Sequence, residues 1–202
     1  MDIGEKRHIG SQRSSLDGQF LVAMPGMMDE RFTRSVIYLC AHSEEGAMGL
    51  IINRVQQIAF PELLIQLGVI DEKEQIRLPE KARKLLVRDG GPVDQGRGFV
   101  VHTDDYVSDS SMPVDDSIVL TATIDILRAM SDGSGPAKAF MALGYSGWGP
   151  GQLEQEIAEN GWLTCRADSD LLFDADIDRK YDRVLSTLGV DPVHLSTTAG
   201  RA

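Results

Sequence analysis

FLVAMPGMMDERFTRSVIYLCAHSEEGAMGLIINR, Phe20 to Arg54, sets the fold of this chain more tightly than it sets any reaction. An apolar strand runs into Met24-Pro25-Gly26, a charged segment follows, and two apolar runs close the stretch, Ser35 to Ala41 and Ala47 to Asn53. The polar, glycine-containing segment from His42 to Gly46 predicts a β-hairpin with a loop longer than two residues. No nucleophile, metal-ligand cluster or phosphate-binding loop stands out within it.

Beyond the hairpin, Phe60 to Leu67 predicts a short helix, with Pro61 suited to its first turn and Gly68 to its C-terminal stop. Lys84 to Val87 and Gly98 to Val101 predict strands flanking a turn at Gly90 to Val93, and the Asp- and Ser-rich span from His102 to Asp116 reads as a loop. Ser117 to Ala122 predicts a strand, Thr123 the N-cap of a helix through Met130, and Ala137 to Leu143 another strand. Gly144 to Gly151 then reads as a glycine-rich turn into a helix with Leu153, Ile157 and Ala158 on one face, closed by Gly161. Trp162 to Arg166 predicts a strand. Ile177, Tyr181, Val184, Leu185 and Leu188 fall at the spacing of an amphipathic helix ended by Gly189.

Strands joined by short loops, with helices interspersed irregularly, do not alternate as a doubly wound fold requires. The expectation is an α+β fold: a single domain over residues 16–190, built on a twisted, mixed, mainly antiparallel sheet packed by helices. Residues 1–15 read as a disordered polar tail and residues 191–202 as a C-terminal tail.

The chain has 202 residues, enough for one domain with a sizeable core. Its 42% hydrophobic and 25% charged content is that of a globular protein rather than a disordered one. A net charge of −11 opposes a phosphate backbone, so direct nucleic-acid binding is not expected. The N-terminal residues lack the apolar core of a signal peptide, and no apolar run approaches the roughly 20 residues of a membrane-spanning helix. These features predict a cytoplasmic protein that does not engage membranes. Cys40 and Cys165, each in an apolar run, read as small buried hydrophobes.

Three separated blocks carry a family resemblance: PGMMDERFTRSVIYLCAHSEEGAMGLIINR at Pro25 to Arg54, GGPVDQGRGFVVH at Gly90 to His102, and ALGYSGWGPGQLEQEIAENGWL at Ala142 to Leu163. Together they resemble the YqgE/AlgH family of bacterial proteins over roughly Leu16 to Leu188. The resemblance implies that family's fold. It brings no agreed biochemical activity, although one branch is linked by name to regulation of alginate production. The closing DPVHLSTTAGRA is similar to the family's C-terminal tail, with Arg201 where the resemblance implies histidine.

Several chemical motifs are approached without being completed. Gly144 to Gly151 has the setting of a phosphate cradle, but no lysine follows the last glycine, and Glu154 and Glu156 would oppose an anion. Gly144-x-Ser146 imitates a nucleophile elbow, yet Trp148 stands where that motif needs glycine. Asp174, Asp176 and Asp178 imitate the start of a calcium loop, but Arg179 and Leu185 replace its glycine and its bidentate glutamate. Those aspartates read better as caps of the final helix.

His42 and His102, each ending an apolar run and each followed by carboxylates, could hold a divalent metal if the strand ends were neighbours. That arrangement would make the chain a metal-assisted hydrolase. Transcriptional regulation is a third possibility, and without a basic recognition helix it would be indirect. The favoured reading is a non-enzymatic protein that meets a small molecule or protein partner, needs no cofactor, and acts through a pocket or surface formed by the three blocks. Arg34, Asn53, Arg54, Pro92, Trp148 and Gln152 are the residues expected to line it.

Overall fold

The structure, a computed structural model, describes residues 15–190. The two terminal tails, Arg201 included, lie outside those residues apart from Ser15, whose hydroxyl donates to Asp17 at 2.6 Å. The strands, in chain order, are β1 (Gln19–Ala23), β2 (Val36–Ser43), β3 (Gly46–Ile51), β4 (Val55–Ala59), β5 (Leu86–Asp89), β6 (Val93–Thr103), β7 (Ser111–Pro113), β8 (Ile118–Thr121), β9 (Ala139–Trp148) and β10 (Trp162–Arg166). The helices are α1 (Phe60–Gln66), α2 (Glu80–Arg83), α3 (Ile124–Asp132), α4 (Gln152–Ala158), α5 (Ser169–Phe173) and α6 (Lys180–Thr187), with a 3-10 turn at Glu72–Arg77.

Strand order is β10-β1-β2-β3-β9-β6-β8-β7, antiparallel at every step. β5 joins β9 in parallel and carries β4 antiparallel on its other side. The mixed, mainly antiparallel α+β expectation holds.

β1 and β2 are apolar at consecutive positions because both of their faces are covered. Phe20, Val22, Val36 and Tyr38 pack against Leu172 of α5 and Tyr181, Val184 and Leu185 of α6. The alternate residues Leu21, Ala23, Ile37 and Leu39 pack against Leu153 of α4 together with Trp148 and Trp162. On the β5–β6–β9 side, Val100 and Met141 meet Phe60 and Leu64 of α1 and Leu127 of α3. The strand period of two thus divides one sheet among three apolar clusters.

Four expectations are corrected. The β2–β3 hairpin turns over Glu44 and Glu45 alone, since Ser43 pairs with Gly46, and a register shift between Leu39 and Ala41 lets pairing continue through His42. Polar residues read as loop are strand ends there. The loop expected from His102 to Asp116 likewise begins inside β6 and contains β7, whose residues pair with β8. Helix α6 begins at Lys180 rather than near Ile177, and no side chain caps its N-terminal position, Arg179. Asp174 instead accepts the Asp176 amide at 2.8 Å and pairs with Arg183 on α6.

The fourth correction positions the site. Gly144 to Trp148 is not a turn but the end of β9, with Gly49, Met48 and Ala47 of β3 opposite Ser146, Gly147 and Trp148. A Cβ on Gly144, at φ 73°, would lie 2.5 Å from the Gly91 carbonyl oxygen; one on Gly91, at φ 144°, would lie 2.4 Å from the Tyr145 carbonyl carbon. These glycines let two chains pass in backbone contact, which side chains would prevent. They do not free amide groups for an anion. Ser146 is fully buried, and its hydroxyl donates to the Gly90 carbonyl at 3.3 Å, so it presents no nucleophile.

Candidate functional site

A cleft of about 380 Å³ opens where the loop before β2, the start of β6 and the end of β9 meet α4 and β10. Met27, Asp29, Arg31 and Phe32 come from the first sequence block, and Pro92 and Val93 from the second. Gly147, Trp148, Gln152, Glu156, Glu159, Gly161 and Trp162 come from the third. Every described residue lining this cleft therefore belongs to one of the three blocks.

Glu156 organises its base. Its Oε2 accepts both indole N–H groups, from Trp148 at 2.9 Å and Trp162 at 2.8 Å, while Oε1 accepts the Gln152 side-chain amide at 2.8 Å. Gln152 Oε1 in turn accepts the Gly149 amide at 3.0 Å and fixes the turn into α4. Gln152 and Glu156 are one helical turn apart, so both reach the same side of α4. Phe32 stacks near Trp148, with centroids 6.4 Å apart and planes at 25°, and meets Trp162 edge-on at 5.6 Å. Buried indoles whose N–H groups are both satisfied by one carboxylate are held in a single orientation.

The cleft wall is the segment from Asp29 to Ser35, and three of the expected residues hold it from behind. Arg54 donates to the carbonyls of Arg31 at 2.6 Å and Thr33 at 3.0 Å. Asn53 accepts the Val36 amide and donates to the Arg34 carbonyl, both at 2.8 Å, bridging a turn in which Arg34 takes φ 55°. A non-glycine residue in that region is held there by its surroundings. The Arg34 guanidinium points away to Asp182 at 2.8 Å and lies 4.5 Å from the Tyr181 ring centroid. Of the six expected residues, Pro92, Trp148 and Gln152 line the cleft, and Arg34, Asn53 and Arg54 shape its wall. Glu156, Trp162 and Phe32 were not anticipated.

The AlgH-like family model matches residues 20–193. The chain belongs to the AlgH-like family. It is 64% identical over the whole of both chains to the UPF0301 protein mlr7511 of Mesorhizobium japonicum. It is 60% identical to the UPF0301 protein BMEA_A0516 of Brucella melitensis biotype 2, covering 97% of this chain and 98% of that one. The solution structure of the AlgH protein from Pseudomonas aeruginosa is similar at a TM-score of 0.75 with 37% identity, over 96% of this chain and 99% of that chain. The crystal structure of protein DIP2367 from Corynebacterium diphtheriae shares the fold, at a TM-score of 0.67 with 22% identity.

In this AlgH-like chain His42 and His102 are separate. His42 sits on β2, where its Nε2 is 3.0 Å from Glu154 and its Nδ1 accepts the Leu16 amide at 3.2 Å. His102 sits on β6, buried, with Nδ1 2.8 Å from the Thr103 carbonyl and Nε2 2.8 Å from the Thr121 hydroxyl. β3 and β9 lie between those strands. Three strand spacings amount to roughly 14 Å of sheet, and among the described residues the two imidazoles share no hydrogen-bond partner. Burial lowers the pKa of His102 and favours its neutral form. Among the described residues no group of three or more His, Cys, Asp or Glu side chains is placed to hold a metal ion.

Cys40 lies buried in β2 and Cys165 is half-buried on β10; both are free, and burial raises each thiol's pKa, which disfavours the reactive thiolate. A larger hollow, about 550 Å³, is lined by Asp17, Tyr38, Asp115 and Arg166 among others. There Asp115 is committed to the fold: it accepts the Tyr38 hydroxyl at 3.0 Å and the amides of Ser117 and Ile118 at 2.8 and 2.9 Å. No helix among the described residues is long and apolar enough to cross a membrane.

Proposed function

We propose that this protein is a non-enzymatic, cytoplasmic binding protein that acts through the cleft between Phe32, Pro92 and Trp148, with any regulatory effect indirect. One observation carries the reading: residues from all three family blocks line a single cleft, and among the described residues no lining residue comes from elsewhere. The remaining conspicuous block residues serve that geometry, the glycines by close backbone approach and Arg54 and Asn53 by holding the wall. A preformed concave site with an aromatic base and a few fixed polar groups is the usual form of a small-molecule site. Glu156, the titratable group at its base, is occupied in orienting the indoles rather than poised beside a nucleophile.

The test fills the cleft without disturbing the core. Pro92 is exposed at its rim, so Pro92→Trp adds bulk over the opening. In a fragment screen against both proteins, compounds held by the native chain should be lost from the variant. Equal retention by both would reject the cleft as the working surface.

A further inference from the structure

The charge of the cleft names the kind of molecule it suits. Carboxylates of Asp29, Glu156 and Glu159 meet one guanidinium, Arg31, which is already tied to Asp29 at 2.7 Å. No lysine stands among the described residues that line the opening. Its base is three aromatic rings in mutual contact, Trp148 and Trp162 completing the set edge-to-face at 6.0 Å. Carboxylates lining an opening attract cations, and the Phe32 ring already has the Arg31 guanidinium 5.7 Å from its centroid; an anion would shed its hydration to meet repulsion. Among the described residues Glu156 Oε1 accepts only from Gln152, so a carboxylate lone pair at the base is open to another donor. The volume, about 380 Å³, falls at the small end of the range for small-molecule sites.

We propose that the cleft binds a small organic cation, an amine or guanidine carried on an apolar or aromatic body. The charged end meets Glu156 and Glu159, and the body lies against Phe32 and the indole edges. This inference rests on the reading of the cleft as a binding site and adds the chemical class of its occupant.

The chain has two tryptophans, and both line the cleft, so intrinsic tryptophan emission reports on this site. Phenethylamine, 2-phenylethanol and phenylacetate share a body and differ in charge. Each would be titrated into the full-length protein, with N-acetyltryptophanamide correcting for collisional quenching. Phenethylamine should give a saturable change at a concentration about tenfold or more below the other two, weakened by added salt. Glu159→Gln and Asp29→Asn, which keep shape and remove charge, should each raise its half-saturation about threefold or more.

Saturable binding of phenylacetate or phenylethanol at or below the phenethylamine concentration would overturn the cation assignment and leave the binding cleft standing. Phenethylamine binding that neither substitution weakens would also overturn it. No saturable response to any of the three probes would sink both the cation assignment and the cleft reading.

Discussion

Trp148 and Trp162 meet at one atom: their indole N–H groups, one from the end of β9 and one from the start of β10, both donate to Oε2 of Glu156. The two tryptophans are 6% and 3% exposed, so neither N–H has water as a ready alternative partner. The carboxylate therefore joins two strands that are not neighbours in the sheet through a residue on α4.

Glu156→Leu should consequently destabilise the chain although Glu156 itself is half-exposed. Leaving donors of charge-assisted hydrogen bonds unpaired costs about 1–3 kcal/mol each, and the two are expected to couple. Urea denaturation followed by tryptophan emission measures the loss. A native-like midpoint with an unchanged emission maximum would show that the indoles do not depend on the carboxylate.

Asn53→Ala should loosen the cleft wall more than the core. It removes the acceptor for the Val36 amide and the donor to the Arg34 carbonyl, at a cost of about 1–3 kcal/mol. Hydrogen exchange should quicken at Val36 and across residues 29–35 before it quickens in β9. If exchange in that segment stays native, the side chain is not what holds Arg34 at positive φ.

Lys180 makes stability depend on pH. It is fully buried, donates to the Leu171 carbonyl, and its pKa falls to about 7, chiefly through burial and secondarily through Arg88, from the ordinary lysine value of 10.5. Unfolded chains thus take up a proton between those two values that folded chains refuse. The contribution of Lys180 to stability should decline as pH falls from 10.5 towards 7 and level off below, and below pH 9 it is not opposed by the thiols of Cys40 and Cys165, whose pKa values burial raises from 9.0. Lys180→Met should flatten the slope between pH 9 and 7, below the window in which buried Arg88 titrates, and raise stability at neutral pH by about 1–3 kcal/mol, the order of the desolvation cost of a buried polar group. Denaturation midpoints across the pH range decide it; an unchanged slope would contradict the burial argument.

His102 acts in a second window. Burial lowers its pKa from 6.5, so the unfolded chain protonates first and stability is lost as pH falls below that value. His102→Gln should remove this acid limb while leaving the Lys180 limb in place. Persistence of the acid limb in the variant would assign it to other groups.

The fold was legible where one residue's neighbours in sequence decide its setting. The apolar runs of β1 and β2 and the Pro61 and Gly68 boundaries of α1 are local signals, and they appear as read. Gly144 was misread because glycine is equally at home in a turn and in a strand that another backbone crosses; only the position of Gly91 decides between them. β7 was hidden for the same reason, since its Ser-Met-Pro sequence carries no strand signal and its pairing with β8 does. Within the site, Pro92, Trp148 and Gln152 stood out among glycines. Glu156 did not, because one carboxylate among many on an acidic chain becomes distinctive only when two distant indoles are brought to it. The spacing of Gln152 and Glu156, four residues apart with Trp162 six beyond, was the one local hint.

The most direct test of the cleft as the binding surface follows the two indole N–H signals of Trp148 and Trp162 by NMR while a chemically diverse fragment set is titrated into the full-length protein. Binding fragments should shift those two signals together with the amides of Phe32 and Gly147, and leave the amides around His42 and His102 unmoved. Fragments that bind elsewhere with both indole signals unchanged would contradict it.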